Sequence, residues 1–414
     1  MAKILPFRGL RPAQDIIHRV ASLPYDVIDS EEARVLAQDN PCSFLHISKP
    51  EIDVEPGISQ YDPIVYAKGR ENLDKFRREK ILLQDEKPCF YVYKQIMGNH
   101  QQVGLVACTS VDEYLQNKIK KHEHTRPEKV QDRLNLMNSL AAQTGPIFIA
   151  YRQPDALKTL IAKVLQQEPV CDFVSFNDIR HIFYVVKNES IIKEIQTAFA
   201  KVDAMYIADG HHRSECAAQY CLQQRQKLGN WTGDEEFNYF LSVIFPYDEL
   251  LILAYNRAVK DLYGLSVEQF LIRVNEKFVV EEVKGAFNGP TSGNQFGLYI
   301  DGKWYTLTAP ASLSKTGDAV ARLDVSLLQN NILDPLLGIK DPRTDTRIKF
   351  VGGIGGIKAL ENLVNNGNYA AAFALYPTAM QQVMDVADAG KVMPPKSTWF
   401  EPKLLSGMVI HTLD

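Results

Sequence analysis

Three pairs of short β-rich runs, each pair flanking a two-residue turn signal, constrain the fold of this chain most strongly. The turn residues are Gly98 and Asn99, Asn177 and Asp178, and Asp301 and Gly302. Gly, Asn and Asp tolerate the left-handed backbone conformation that a tight hairpin requires. The sequence therefore predicts three antiparallel hairpins, formed by residues 89–97 with 103–111, 173–176 with 181–186, and 296–300 with 303–307.

Further strand and helix signals alternate along the chain. Apolar residues at helical spacing predict helices at residues 64–80, 128–143, 213–227, 266–277, 357–365 and 378–389. Strand candidates between these helices lie at residues 146–150, 205–208, 240–245 and 348–351. Hairpins combined with this alternation predict an α/β fold of the α+β kind with a mixed sheet. The apolar run 408–411 is expected to complete that sheet.

The length predicts more than one structural unit. A chain of 414 residues exceeds the size at which a single hydrophobic core usually stops growing. Residues 285–295, rich in Gly, Asn, Pro, Thr and Ser, are the clearest loop. We predict a main domain at residues 1–259, a smaller α+β unit at 260–340, and a C-terminal segment, 341–414, that returns to the main domain.

Composition narrows the classes of partner. Six scattered cysteines, without a CxxC pair, are typical of reduced thiols. A formal net charge of -4 gives no general attraction to nucleic acid or an anionic membrane. We find neither the apolar run of a signal peptide nor the roughly 20 apolar residues of a membrane helix. We therefore expect a cytoplasmic protein that binds neither nucleic acid nor membrane, and the oligomeric state stays open.

A polar cluster follows one of the short apolar strand candidates. Asp209 and Gly210 form a turn, and Arg213 is predicted to open a helix. The first N–H groups of a helix have no internal partners and carry partial positive charge, which suits an anion. Gly210 lets the backbone approach a phosphate, and His211, His212 and Arg213 offer donors. Arg213 is expected to contribute to phosphate binding and little to a core. The alternative is a helix that is merely capped by Asp209.

A second polar run, residues 121–126, ends at Pro127 before another predicted helix. Proline is favourable at a first helical position, which places Arg126 near the cap. His122 and His124 are two residues apart and would share one side of an extended segment. An exposed basic turn is the alternative.

Two loops offer further charged groups. A proline-fixed turn near the N-terminus carries Asp26, which could act as a general base toward a hydroxyl group or as a helix cap. Near the C-terminus, three prolines fix residues 393–403, so that Lys396 and Lys403 could be aimed at phosphate or carboxylate. Solvated lysines are the alternative.

A glycine-rich run, residues 352–356, also follows a strand candidate and precedes a helix. It matches neither GxGxxG nor GxxxxGK followed by Ser or Thr. A tight connection between strand and helix explains it about as well. We therefore do not assign a nucleotide to this run.

Five segments occur in the order typical of a widespread prokaryotic family known as domain of unknown function 1015, namely residues 6–12, 24–28, 122–133, 209–213 and 393–407. The chain resembles this family over nearly its whole length. The family is distantly similar to the ParB and sulfiredoxin superfamily, which includes free serine kinases that use ADP or ATP. The resemblance implies a ParB/sulfiredoxin-like core in which a turn like residues 209–213 holds nucleotide phosphates.

The implied activity is that of a nucleotide-dependent phosphotransferase, a kinase acting on a small hydroxyl metabolite such as serine or a relative. The residues expected to bind phosphate are Asp209, Gly210, His211, His212, Arg213, His122, His124, Arg126 and Lys403. Asp26 or Glu123 would accept the hydroxyl proton, and Lys396 would offset charge on the transferred group. Mg²⁺ would accompany ATP or ADP.

Two other functions are compatible with the same residues. One is a non-catalytic nucleotide-binding regulator, because a fold does not fix a function. The other is a metal-dependent hydrolase, with carboxylate support for a metal bound by His122, His124, His211 and His212. The supporting carboxylate would come from Glu123 or Asp209.

Overall fold

The computed structural model describes residues 2–413. The α-helices are α1 (Ile17–Val20), α2 (Ser30–Ala37), α3 (Leu45–Ser48), α4 (Pro63–Arg78), α5 (Val111–Leu115), α6 (Pro127–Leu140), α7 (Asp155–Val164), α8 (Glu189–Phe199), α9 (His211–Leu228), α10 (Val267–Asn275), α11 (Ala311–Ser314), α12 (Asp324–Leu328), α13 (Gly356–Asn365) and α14 (Met380–Asp388). Short 3₁₀ turns lie at Pro50–Asp53, Glu236–Asn238, Tyr247–Glu249 and Gly353–Gly355, and a π-helical turn at Gln329–Leu333.

The strands are β1 (Ile4–Leu5), β2 (Leu10–Pro12), β3 (Leu82–Gln84), β4 (Phe90–Met97), β5 (His100–Ser110), β6 (Ile119–Lys120), β7 (Ala142–Gln143), β8 (Ile147–Tyr151), β9 (Cys171–Val174), β10 (Ile179–Val186), β11 (Met205–Asp209), β12 (Tyr239–Pro246), β13 (Leu251–Leu253), β14 (Tyr255–Val259), β15 (Val279–Glu282), β16 (Gln295–Ile300), β17 (Lys303–Thr308), β18 (Ile348–Gly352), β19 (Ala371–Leu375), β20 (Trp399–Glu401) and β21 (His411–Thr412). Each predicted helix and strand overlaps one of these elements.

The chain divides into two compact units. The first contains the chain up to Leu250 together with the segment from Pro402 onward, and the second is Leu251–Glu401. The second unit extends beyond the predicted segment 260–340 on both sides, because β14, β18 and β19 belong to its sheet. The chain accordingly returns to the first unit at Pro402 rather than at residue 341.

The large sheet of the first unit has the strand order β6-β11-β8-β12-β5-β4-β10-β9, and β1 pairs with β5. The β6–β11 and β8–β12 pairs are parallel. The other pairs are antiparallel, which confirms the predicted mixed α/β class. Every residue of the central strand β12 is buried, as expected of a strand that is covered on both faces.

The three predicted hairpins are confirmed. They are the antiparallel pairs β4–β5, β9–β10 and β16–β17. The backbone φ is 57° at Gly98, 60° at Asp178, 50° at Asp301 and 72° at Gly302. Gly and Asp adopt positive φ more readily than most other residue types, so the local sequence favours chain reversal at these positions.

The C-terminal strand does not complete the large sheet, which corrects that expectation. β21 pairs instead with β7 in a separate two-stranded ladder. Polar contacts of the buried His411 fix it there, because Nε2 lies 2.7 Å from Glu236 Oε2 and Nδ1 lies 3.1 Å from Gln143 Oε1.

The sheet of the second unit is antiparallel throughout, in the order β15-β17-β16-β19-β14-β18. Helix α13 covers it through the fully buried Leu360, which clusters with Tyr299 and Trp304. β13 and β20, the first and last strands of this unit in the sequence, pair with each other.

Helix α9 packs on α6 in the first unit. The small side chains of Ala217 and Ala218 are at most 2% exposed, so the helix lies close to its neighbours. This packing fixes the first turn of α9. Within residues 2–413, every helix is too short or too polar to cross a lipid bilayer.

Candidate functional site

Two polar segments meet because they leave neighbouring parallel strands. β6 and β11 pair in parallel, with Ile119 opposite Met205. Residues 121–126 follow β6 and residues 209–213 end β11 and begin α9, so both segments emerge at the same edge of the sheet. Carboxyl ends of parallel strands are common ligand sites in α/β proteins.

Helix α9 begins at His211, two residues before the predicted start. Gly210 precedes it with φ 96° and ψ 29°, and a Cβ at this position would lie 3.2 Å from Arg213 Nε. The left-handed backbone and the close guanidinium both favour glycine. No side chain of the described residues caps this helix. Its first N–H groups, which lack intrahelical partners, are therefore suited to an anion.

Asp209 organises the turn instead of capping the helix. Its Oδ1 accepts the Gly210 N–H at 2.8 Å, and its Oδ2 accepts a hydrogen bond from Lys403 Nζ at 3.0 Å. Burial alone would raise the pKa of Asp209, but the charges of Lys403 and Arg213 and the Lys403 hydrogen bond together lower it below its ordinary value. Asp209 is therefore ionised at neutral pH and holds Lys403 at the turn.

Arg213 is a largely buried cation. Its side chain is 13% exposed, and its Nη2 lies 3.5 Å from Asp26 Oδ2. Nη1 donates to the carbonyl of Pro146. Its Nε is buried and has no hydrogen-bond partner among residues 2–413. The expectation that Arg213 contributes little to the core is wrong, because burial and these contacts make it part of the folded interior.

His122 and His211 form a neutral buried pair. Their rings pack edge to face with centroids 4.4 Å apart, and Nε2 of His211 accepts the His122 N–H at 3.4 Å. Burial lowers the pKa of His122 to about 4. Burial and the neighbouring His122 lower the pKa of His211 well below its ordinary value. Since Nε2 of His211 accepts a hydrogen bond, its proton resides on Nδ1.

His212 makes a second link of the same kind. Its Nε2 accepts the Arg126 N–H at 3.1 Å, and burial lowers its pKa. The two adjacent histidines thus hold residues 122–126 against the start of α9. Glu123 is exposed, and its Oε2 lies 3.7 Å from His211 Nδ1.

The four histidines do not form the predicted metal site. His122 is buried but His124 is exposed, so the two do not share one environment. The Nε2 atoms of His211 and His212 accept backbone N–H groups and are not directed at one point. In the described part of the chain, no group of three or more His, Cys, Asp or Glu side chains could hold a metal ion.

Lys396 belongs to the second unit. It has a φ of 57°, its carbonyl accepts a hydrogen bond from Arg257 Nη2 at 2.9 Å, and its Nζ lies 5.5 Å from the centroid of the Tyr255 ring. The loop is therefore held by a buried arginine as well as by its prolines. The predicted position of Lys396 opposite the phosphates stays a prediction.

A cavity of about 40 Å³ lies beside Arg213 in the first unit, and its polar lining includes Tyr25, Ser48 and Arg133. Sequence reasoning did not single out Ser48 or Arg133 as site residues. The only available signal was that Arg133 ends the segment 122–133 on which the family resemblance rests. No pattern in the sequence shows that Ser48 lies next to it.

No curated protein matches the chain in sequence. Solved structures with partial likeness include a free serine kinase variant in complex with AMP, with 15% identity, a TM-score of 0.35, and coverage of 71% of this chain and 87% of the kinase. A second such variant, in complex with ADP, has 16% identity, a TM-score of 0.34 and coverages of 71% and 87%. A conserved hypothetical protein from Pyrococcus furiosus has 16% identity, a TM-score of 0.34 and coverages of 71% and 90%. At these scores the neighbours do not identify a ligand of this chain.

The match of the sequence to a protein family is more specific than these structural likenesses. The model of a family described as protein of unknown function (DUF1015) matches residues 4–326. This match includes β1 to β17, the turn at Gly210 and the segment that ends at Arg133. The chain belongs to the DUF1015 family.

Proposed function

We propose that the chain is a nucleotide-dependent phosphotransferase that acts on a hydroxyl group of a small metabolite. The observation that carries the proposal is the start of α9, whose first N–H groups no side chain within residues 2–413 caps. Two cations, Lys403 and Arg213, lie beside it. Backbone N–H groups combined with cations are the donors that phosphate oxygens require.

The neighbouring residues divide into two roles. The N–H groups of His211, His212 and Arg213 would hold the phosphates, together with Lys403 and the exposed Arg126. The two histidine side chains, which are neutral and hydrogen-bonded to the backbone of residues 122–126, position this segment. A preorganised polar site of this kind stabilises developing charge without having to rearrange during the reaction.

Two carboxylates adjoin this site and are the candidates for the proton acceptor. Asp26 Oδ2 lies 3.5 Å from Arg213 Nη2, and Glu123 Oε2 lies 3.7 Å from His211 Nδ1. In the reaction the acceptor oxygen would bond to the terminal phosphorus, the bond from that phosphorus to the bridging oxygen would break, and the carboxylate would take the hydroxyl proton. From the sequence alone, Lys396 is the residue that would offset charge on the transferred group.

Mg²⁺ is the expected companion of the nucleotide. It prefers oxygen ligands and usually contacts one or two carboxylates together with phosphate oxygens. The partly exposed carboxylates of Asp26 and Glu123 fit that requirement. When bound, the ion would offset negative charge on the phosphates.

The test is to incubate the protein with Mg²⁺, ADP or ATP, and a pool of hydroxylated metabolites, and to analyse the mixture by mass spectrometry. We expect one metabolite to gain a phosphoryl group while ADP is converted to AMP, or ATP to ADP. Calorimetric titration with AMP, ADP and ATP measures binding separately. Binding without any product would favour the regulator, and absence of binding would overturn the phosphate assignment.

A further inference from the structure

We infer that the cavity beside Arg213 binds the carboxylate of the acceptor, which makes small hydroxy acids the substrate class. That the bound molecule accepts a phosphoryl group rests on the proposed function, whereas the carboxylate site rests on the cavity alone. Its lining residues used below are Tyr25, Ser48, Arg133, Gly145 and Arg213, all in the first unit.

Two buried donors in this lining have no partner. Ser48 is 3% exposed, and neither its Oγ nor the Nε of Arg213 has a hydrogen-bond partner in the described part of the chain. Leaving a buried polar group unpaired destabilises the folded state, and such groups are uncommon in folded proteins. Two of them in the lining of one cavity indicate that a ligand with hydrogen-bond acceptors occupies it.

The charge of the lining specifies an anion. Arg133 and Arg213 both line the cavity, and among the described residues no Asp or Glu side chain does. Arg133 is held in place because its Nε donates to Asp132 Oδ2 at 2.9 Å, its Nη1 donates to the Ser48 carbonyl at 3.1 Å, and its guanidinium lies 4.2 Å from the centroid of the Tyr25 ring. A guanidinium has five N–H donors, so Arg133 keeps donors beyond these contacts that suit a carboxylate oxygen.

The size of the cavity excludes a large ligand. A cavity of about 40 Å³ has room for roughly three water molecules. A carboxylate has three heavy atoms and fits this space, whereas a tetrahedral phosphate group is larger. Apolar side chains, including Leu136 and Phe240, form much of the remaining lining. Only the small anionic end of a ligand therefore enters.

The position of the cavity also orients the acceptor. Tyr25 lines it, the next residue is Asp26, and the Asp26 carboxylate contacts Arg213. In this proposal the hydroxyl of a substrate whose carboxylate occupies the cavity lies on the side of Asp26. This favours Asp26 over Glu123 as the proton acceptor.

The experiment compares glycerate with glycerol by ligand-observed NMR on the full chain. The two molecules have the same carbon skeleton, but only glycerate has a carboxylate. We expect glycerate to bind at least tenfold more tightly than glycerol, as for a hydrogen bond to a charged group. Equal binding of the two, or no binding of glycerate, would show that the cavity holds water only and would overturn the inference.

Two substitutions test whether glycerate occupies this cavity. Ser48→Ala removes an unpaired donor, so we expect unchanged or higher thermal stability together with about tenfold weaker glycerate binding. Ser326→Ala is the matched control, because Ser326 Oγ is also buried and without a partner within residues 2–413 but does not line the cavity. Glycerate affinity that is unchanged in Ser48→Ala would contradict the assignment.

Gly145→Ala tests the same space from another side. A Cβ at Gly145 would lie 3.4 Å from Arg213 Cδ and 3.8 Å from Ser406 Oγ, which is ordinary contact, so the methyl group should fit into the cavity without strain. We expect at least tenfold weaker glycerate binding, and no change in Gly293→Ala, where a Cβ would meet nothing within 4 Å. Retained glycerate binding in Gly145→Ala would count against the cavity.

Titration of the same samples with ADP and ATP separates the two proposals. Glycerate binding without nucleotide binding would overturn the phosphotransferase and leave the carboxylate site standing. Nucleotide binding with no preference for glycerate over glycerol would overturn the carboxylate site and leave the phosphotransferase standing.

Discussion

Two connections between a strand and a helix in this protein share, within the described residues, an uncapped helix start and a glycine with positive φ, but they differ in chemistry. The first leads from β11 through Gly210 into α9, and the second leads from β18 through a 3₁₀ turn into α13. In the described part of the chain, neither helix has a side-chain cap. Both also contain a glycine with positive φ, 96° at Gly210 and 61° at Gly356.

The side chains separate the two connections. The first brings Asp209, Arg213 and Lys403 into one charged network beside the helix start. The second contributes glycines and Ile354, whose side chain is 68% exposed. A helix start with backbone donors alone is common in proteins, so it is the charged and buried side chains that distinguish the first connection as the candidate site.

The largest expected effect concerns the proton acceptor at the first connection. Asp26→Asn should lower turnover by about 10²–10⁴-fold, because general base catalysis contributes that much. Glu123→Gln should have a smaller effect if Asp26 is the base. The control is Lys358→Ala, an exposed position in α13, which should leave turnover unchanged. Steady-state kinetics on the identified acceptor measures all three, and a larger loss in Glu123→Gln would reverse the assignment.

The second prediction concerns the pH dependence of stability that the buried His122 at the first connection causes. The second connection has no counterpart of this histidine. The folded pKa of His122 is about 4, below the ordinary 6.5, so the unfolded chain binds a proton more readily between these values. The stabilisation of the folded state that depends on neutral His122 is fully present above pH 6.5 and is lost as the pH falls toward 4. His122 alone should account for a loss of about 3 kcal/mol in the free energy of unfolding. The buried His181, whose pKa burial also lowers to about 4, should add to that loss.

Urea unfolding at a series of pH values, followed by circular dichroism, measures that loss. The lowered pKa of Asp209 acts below this window, so its pair with Lys403 should persist there. His122→Gln should reduce the dependence on pH, while the exposed His18→Gln should keep it. A wild-type stability that is constant from pH 6.5 to 4 would contradict the buried neutral state.

The third prediction concerns Arg213, whose burial gives it two roles. Arg213→Ala should weaken ADP or ATP binding by about 2 kcal/mol, as for charged hydrogen bonds. It should also destabilise the fold, because the Pro146 carbonyl and Asp26 lose a partner. At the second connection, Ile354→Ala should change neither quantity. Calorimetry and thermal unfolding provide the two measurements, and unchanged nucleotide affinity in a folded Arg213→Ala protein would refute the role in phosphate binding.

The smallest expected effect comes from the two glycines themselves. Ala at Gly210 adopts a left-handed backbone at a cost of about 1 kcal/mol. The φ of 61° and ψ of -162° at Gly356 are almost exclusive to glycine, so Gly356→Ala should lose at least as much stability as Gly210→Ala. Only Gly210→Ala should also weaken nucleotide binding, because its Cβ would lie 3.2 Å from Arg213 Nε. Equal effects on nucleotide affinity would mean that the first connection is not special.

The parts of the fold that depend on residues adjacent in the sequence could be predicted. The hairpin at Asp301 and Gly302 follows from two adjacent residues, and α9 follows from apolar spacing. The phosphate-binding role of residues 209–213 could be proposed because a turn, a glycine and three donors are contiguous.

Contacts between distant residues could not be predicted. Arg133 donates to the Ser48 carbonyl across 85 residues, and nothing in either local sequence specifies the other. The burial of Arg213 likewise depends on Pro146 and Asp26, which come from separate segments. The hydrogen bonds of His211 and His212 to the backbone of residues 122–126 depend on the parallel pairing of β6 with β11, which short strands do not reveal.

The pairing of Lys403 with Asp209 has a consequence for protein synthesis. The two residues are 194 positions apart, and the whole of Leu251–Glu401 is translated between them. At about 5–20 residues per second, Asp209 waits about 10–40 s for its cation. The nascent first unit therefore carries an aspartate without this partner at the start of α9 while the ribosome completes the second unit.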